Sequence, residues 1–177
     1  TQTINRTPVT EFLVIGNSFD GSSALFVGYN SHMLRCENQF TDSIRIMSSK
    51  HLKNKMNSRL NLNIVLTHFK RQKMETLQKF EKMENTKVTE REISHLIKQL
   101  IDSPSNDQMS LQHQRIRSSI DKEMAFFGNN AWGLFNGVTH YTSNVLNNGN
   151  NYFGNVSGSS QQMNNKAMDF LMNLDAS

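Results

Sequence analysis

A chain of 177 residues with a net charge of +4 and a single cysteine excludes several classes at once. The length suits one domain that buries a core without a metal or disulfide. The lone Cys36 permits no internal disulfide and fits a reducing compartment, and no apolar run approaches the roughly 20 residues of a membrane span.

The expected elements begin with strands. Residues 9–15 (VTEFLVI) are apolar and rich in branched and aromatic side chains, and a turn at 16–23 containing Asp20-Gly21 breaks the run. A second run covers 24–29, and Asn30-Ser31 separates it from a third, 32–36. The pattern predicts a three-stranded antiparallel meander within residues 1–40.

From about Leu60 the period changes to three and four. Leu62, Val65, Leu66, Phe69, Leu77, Phe80 and Met83 form one stripe of a predicted helix, with Lys70, Arg71, Lys73, Lys79 and Lys82 on its other faces. Thr89 with Glu92 spells a capping box for a second helix, whose stripe is Ile93, Leu96, Ile97, Leu100 and Ile101, stopped by Pro104. A third helix is expected from Asn106 or Asp107, with Met109, Ile116, Ile120 and Met124 inward. A fourth covers 131–145. Residues 144–158 read as an Asn- and Gly-rich loop, and a terminal helix at 160–175 is capped by Ser159 or Ser160, with Ala167, Phe170, Leu171 and Leu174 on one face. The expectation is a single α+β domain over 1–177, with strands in 1–40 and helices in 60–143. The first residue is Thr1, which fits the C-terminal portion of a longer protein.

The fourth helix is unusual in its dress. Ala131, Leu134, Phe135, Val138, Thr142 and Val145 line one side, and Trp132, Asn136, Thr139, His140 and Ser143 the other. Gly133 and Gly137 make a third line where a neighbouring backbone can approach closely. Such a helix is expected to be buried, with its polar groups hydrogen-bonded.

No catalytic constellation emerges. Asp20, Arg35, Cys36 and Asn38 fall near predicted strand ends, but a Cys36 nucleophile needs a placed base, and His32 lies too far along the same strand. The six histidines form no HxxH or HxxxH pair, and there is no CxxC, P-loop, GxGxxG or GxSxG. Neither enzyme activity, a metal nor a cofactor is therefore expected. His113 reads as a core residue, and His140 as packing rather than chemistry.

Charge is the strongest functional signal. Residues 41–87 hold eleven basic and four acidic side chains, a balance of +7, whereas 1–40, 88–125 and 126–177 each sit at −1. Between Asp42 and Glu75 stand Arg45, Lys50, Lys53, Lys55, Arg59, Lys70, Arg71 and Lys73, with no carboxylate among them. A solubilising face mixes signs, so this segregation points to a polyanion.

Several segments carry a resemblance. AWGLFNGVTHY, with Trp132, Gly133, Asn136, Thr139 and Tyr141, resembles the A-W-G-x-x-N-x-V-T-x-Y segment of a phage and plasmid family catalogued as a domain of unknown function. NSFDGSSAL, with Asn17, Asp20 and Gly21, is similar to its N-S-H-D-G-S-x-A-L stretch, although Phe19 stands where the family tends to have His. Arg35, Cys36 and Asn38 resemble its R-C-x-N segment. TKVTEREISHLIKQL and the C-terminal end, from Tyr152 onward, are similar too, so the likeness covers nearly the whole chain in order. It implies a mobile-element origin, a bacterial cytoplasmic setting and a usual family length that extends further N-terminally, but no activity. Together with the charge, it predicts a nucleic-acid-binding protein of phage or plasmid DNA metabolism. Binding or annealing of single-stranded DNA is expected through 44–73, with bases stacking on aromatics such as Tyr29 or Phe40. Self-association is compatible with this reading. The competing expectation is a virion-associated or protein-interaction protein without a nucleic-acid role, and a hydrolase built around Asp20 and Cys36 is a more distant third.

Overall fold

A computed structural model describes residues 2–4, 7–16, 25–33, 39–40, 47–49, 62–101, 110–146 and 159–174. Helices dominate it: α1 (Leu62–Asn85), α2 (Glu90–Leu100), α3 (Leu111–Phe127), α4 (Ala131–His140) and α5 (Ser159–Met172), with a π-helical turn, Tyr141–Leu146, continuing α4.

The 3.6-residue period explains which faces turn inward. In α2 all of Ile93, Leu96, Ile97 and Leu100 are buried, with Ile101 just beyond. The helix begins where the sequence says it must. Thr89 Oγ1 accepts the Glu92 N–H, while the Glu92 carboxylate accepts from Thr89 N and Oγ1 at 2.6 and 2.7 Å. These bonds hold the Glu92 carboxyl below its ordinary range. In α1, Phe80 and Met83 are buried and Leu77 packs beside them, but Leu66, expected inward, is 44% exposed. The inward line of α1 runs instead through Gln72, Thr76, Phe80 and Met83.

Helix α3 starts at Leu111 rather than at 106 or 107, because the Ser110 hydroxyl accepts the His113 N–H at 3.1 Å and caps it. Ile116, Ile120 and Met124 are buried as expected. His113 is half-buried, and Met109 lies outside the described residues. The helix ends at Gly128 with φ 93° and ψ 171°, a backbone region open almost only to glycine. Two residues later the Asn130 side chain caps α4 by accepting the Gly133 N–H at 2.8 Å. Backbone bonds from Ala131 N to Thr86 O (2.8 Å) and Val88 N to Asn129 O (3.3 Å) tie this corner to the α1–α2 connection.

Helices α3 and α4 cross in close contact, and the two glycines allow it. A Cβ on Gly133 would sit 2.5 Å from Gly128 O and 3.3 Å from Met124 Cα; on Gly137 it would run into the Ile120 backbone. The terminal helix starts at Ser159, with Ala167, Met168 and Leu171 buried and Phe170 and Leu174 packed at the margin. Residues 144–146 complete the π-helical turn rather than open a loop, and 147–158 lie outside the described residues.

The expected α+β fold with a three-stranded meander is overturned. Among the described residues the hydrophobic core, from Phe80 to Leu171, is drawn from helices and the short connections between them. Where side-chain packing is described, 86% of residues are helical. The physical reason is supply. The long stripes with helical period deliver the buried faces of that core, through Phe80 and Met83 of α1, Ile93 to Leu100 of α2 and Ile116 to Met124 of α3. Among the described residues the N-terminal backbone is extended in five places, against the three expected: β1 (Gln2–Ile4), β2 (Thr7–Gly16), β3 (Leu25–Met33), β4 (Gln39–Phe40) and β5 (Met47–Ser49). Strands β2 and β3 pair antiparallel from Val9↔Met33 to Gly16↔Phe26. The expected third strand at 32–36 is not separate, since β3 runs through Asn30 and Ser31 and takes in His32 and Met33.

Candidate functional site

Two segments attract functional interest, and their side chains are disposed in opposite ways. The first is the Trp132 segment. From Ala131 to Thr139 every residue of α4 is buried, as are Tyr141, Thr142 and Ser143 in the turn that follows. Trp132 sits among rings, 4.7 Å from Phe80, 6.2 Å from Phe127 and 6.4 Å from Phe135 between centroids. Asn136 Nδ2 donates to Trp132 O at 2.8 Å, and Thr139 Oγ1 donates to Asn136 O at 3.0 Å. Bonds of this kind satisfy polar groups within their own helix, but the buried Trp132 Nε1 and Ser143 Oγ have no partner among the described residues.

His140 is a further exception. It is half-buried, with Nε2 3.3 Å from Lys122 Nζ on α3. An ammonium only donates, so Nε2 accepts and the ring proton lies on Nδ1, which is buried and has no partner. Burial first, and then the Lys122 charge, hold His140 below the ordinary imidazole range. It is a neutral imidazole beside a cation. Among the described residues no three His, Cys, Asp or Glu side chains come together as a metal site would require.

The second segment is the basic run. Lys70, Arg71 and Lys73 lie on α1, where Lys70 and Arg71 are exposed and Lys73 is half-buried. Arg71 Nε stands 3.5 Å from Glu75 Oε1, with side chains 62% and 48% exposed. A pair that open is worth well under about 1 kcal/mol. Lys82, further along, donates to Met172 O at 2.7 Å and is occupied in holding α5. Arg45, Lys50, Lys53, Lys55 and Arg59 lie outside the described residues, as do Asn17, Asp20, Gly21, Arg35, Cys36 and Asn38. Tyr29 and Phe40 fall on β3 and β4, their side chains outside the description.

A contrasting cationic surface lies between α2 and α3. Arg117 makes a bidentate pair with Glu90 at 2.7 and 3.1 Å and donates to Asp121 at 2.8 Å. Its hydrogen bonds to Glu90 raise the guanidinium further and lower the Glu90 carboxyl. Charges so matched are spent within the fold.

The structure also buries polar residues that the pattern reading passed over, Gln72 and Thr76 on α1 and Asn164 on α5, along with Thr142 and Ser143 in the π-helical turn and Ser160 on α5. The signal was present in their spacing: 72 and 76 precede Phe80 by whole turns, and 160 and 164 stand in the same relation to Met168.

A family model described as a domain of unknown function (DUF932) matches residues 1–168, and the chain belongs to that family. No curated protein and no solved structure matches it. Among the described residues no helix is long and apolar enough to cross a membrane.

Proposed function

We propose that this protein binds nucleic acid, single-stranded DNA foremost, through the basic segment 44–73. One observation carries the reading: eight cations and no carboxylate between Asp42 and Glu75, in a chain whose other three segments are each slightly acidic. Segregated positive charge raises the local concentration of a polyanion and steers its approach. Phosphates would be met by Arg45, Lys50, Lys53, Lys55, Arg59, Lys70, Arg71 and Lys73. The exposure of Lys70 and Arg71 on α1 supports this at the one end of the run where side chains are described. Such contacts are indifferent to sequence, and aromatic stacking on Tyr29 or Phe40 would add the preference for single strands.

The setting we assign is phage or plasmid DNA metabolism, with annealing or recombination as the process served. Its support is the likeness of the Asn17–Leu25, Arg35–Asn38 and Ala131–Tyr141 segments to a mobile-element family. The test is a binding assay with single-stranded DNA, duplex DNA and RNA probes at low salt. Tightest binding to single-stranded DNA without sequence preference is expected. No affinity for any probe, together with capture of a specific virion protein, would replace this reading with that of a protein-interaction module.

A further inference from the structure

The helical bundle has an apolar end and a polar end. The C-terminus of α1 meets the N-terminus of α4, through Ala131 N to Thr86 O and the Phe80–Trp132 contact. The C-terminus of α5 meets the same end of α1, through Lys82 Nζ to Met172 O. Asn164, two turns back along α5, meets the far end of α4, where Thr142 Oγ1 lies 2.9 Å from Asn164 Oδ1. At a rise of about 1.5 Å per residue these contacts align α1 and α5 in parallel, both antiparallel to α4. Gln72 and Thr76, Thr142 and Ser143, and Ser160 and Asn164 therefore fall at one end of the three-helix contact. Phe80, Met83, Trp132, Met168 and Leu171 fall at the other.

Three polar side chains of the first group have an atom without a hydrogen-bond partner among the described residues: Thr76 Oγ1, Ser143 Oγ and Asn164 Nδ2. Their residues are 1%, 3% and 1% exposed. Whichever way the Asn164 amide is turned, one of its polar atoms bonds Thr142 and the other is left over. Unpaired groups this deeply buried are rare in native proteins, and here they come from three different elements at one level. The backbone changes register at the same level, since the π-helical turn begins at Tyr141. Such turns open a helix locally and recur at binding sites.

We infer that this layer is a hydration site, in which ordered water bridges Thr76 on α1, Ser143 in the π-helical turn and Asn164 on α5. A buried water makes about three hydrogen bonds, typically to groups otherwise unsatisfied, and this layer supplies that number from three elements. The joint between α5 and the bundle is thus wet where Asn164 meets the π-helical turn. The inference does not rest on nucleic-acid binding and stands or falls separately.

The test is magnetic resonance on the labelled protein, reading water-to-solute cross-relaxation at the Thr76 methyl and the Asn164 side-chain amide. Long-lived water at both is expected, and it should vanish from the Asn164 amide in the Thr76→Val, Ser143→Ala double variant. A direct hydrogen bond between Asn164 and either hydroxyl, or no long-lived water at either position, would overturn the inference. A second reading comes from Thr76→Val alone, which keeps the shape and removes the hydroxyl. If water bridges the layer, the melting temperature falls by about 2–4 °C, the shift expected for one lost buried hydrogen bond in a chain of this size. A rise or no change means that the hydroxyl was dry and unpaired, and the site does not exist.

Discussion

Residues 131–143 and residues 43–74 both depart from ordinary composition, in opposite directions. The first segment packs Trp, Asn, Thr, His and Tyr around two glycines, and almost all of it is buried, with Asn136 and Thr139 bonded within their own helix. The second is plain in residue variety but one-sided in charge, and its described end presents Lys70 and Arg71 to solvent. The difference separates two uses of polar groups. Turned inward, they fix where helices meet, although Trp132 Nε1, His140 Nδ1 and Ser143 Oγ have no partner among the described residues; turned outward, Lys70 and Arg71 face solvent, Arg71 held only by its open pair with Glu75. The Arg117 cluster makes the same point from a third place, because its cation is matched by Glu90 and Asp121 and has no charge to offer.

The largest effect that sharpens this contrast is on binding. Reversing Lys50, Lys53 and Lys55 to Glu should lower affinity for single-stranded DNA by about 100-fold at 0.1 M salt, since each lost phosphate contact removes roughly 0.7 log units there. Thermal stability should hardly change. A variant that binds as the wild type does would remove the basic run from the site.

In the buried segment the largest effect is on folding. Gly137→Ala gains about 1 kcal/mol of helix propensity but drives a Cβ into the Ile120 backbone, and overpacking at about 1–3 kcal/mol or more wins. Denaturant unfolding should show net destabilisation, with nucleic-acid affinity unchanged in the folded protein. A stabilised variant would mean that α3 and α4 do not approach so closely.

Much of this architecture was legible in the sequence because burial imposes a period. The α2 stripe and its Thr89–Glu92 box, the inward residues of α3, and the glycine line of α4 all follow from side chains recurring every three or four positions. The polar layer was not legible for the same reason. Gln72, Thr76, Ser160 and Asn164 interrupt apolar stripes, and an interrupted stripe reads as surface until a neighbouring helix is seen to cover it. Nor does any apolar period encode the one-residue change in hydrogen-bond register at Tyr141. The α+β expectation failed because short branched runs announce strands, whereas the described core is set by the helical stripes that follow them. Of the candidate site, the charge run is read entirely from sequence, since charge adds up without reference to fold.

Two smaller effects complete the series. Thr89→Ala removes one half of the capping box and should cost about 1 kcal/mol, seen as a lower denaturation midpoint with binding intact. Smallest is a pH effect at His140. Its folded-state pKa is depressed while the unfolded chain keeps the ordinary value, so its contribution is full above about 6.5. That contribution is lost as pH falls through the depressed folded value. Lys122→Gln removes one cause of the depression and should make stability decline less between neutral and mildly acidic pH. An unaltered profile would dissociate the two side chains.

The most direct test of the central claim is the salt dependence of wild-type affinity for a single-stranded DNA probe. Three to eight phosphate contacts at about −0.7 each predict a log–log slope between about −2 and −6, flattened by about 2 in the Lys50, Lys53 and Lys55 charge-reversal variant. A slope near zero, or no binding at the lowest salt, would show that residues 43–74 are a solvated face and that this protein's partner is not nucleic acid.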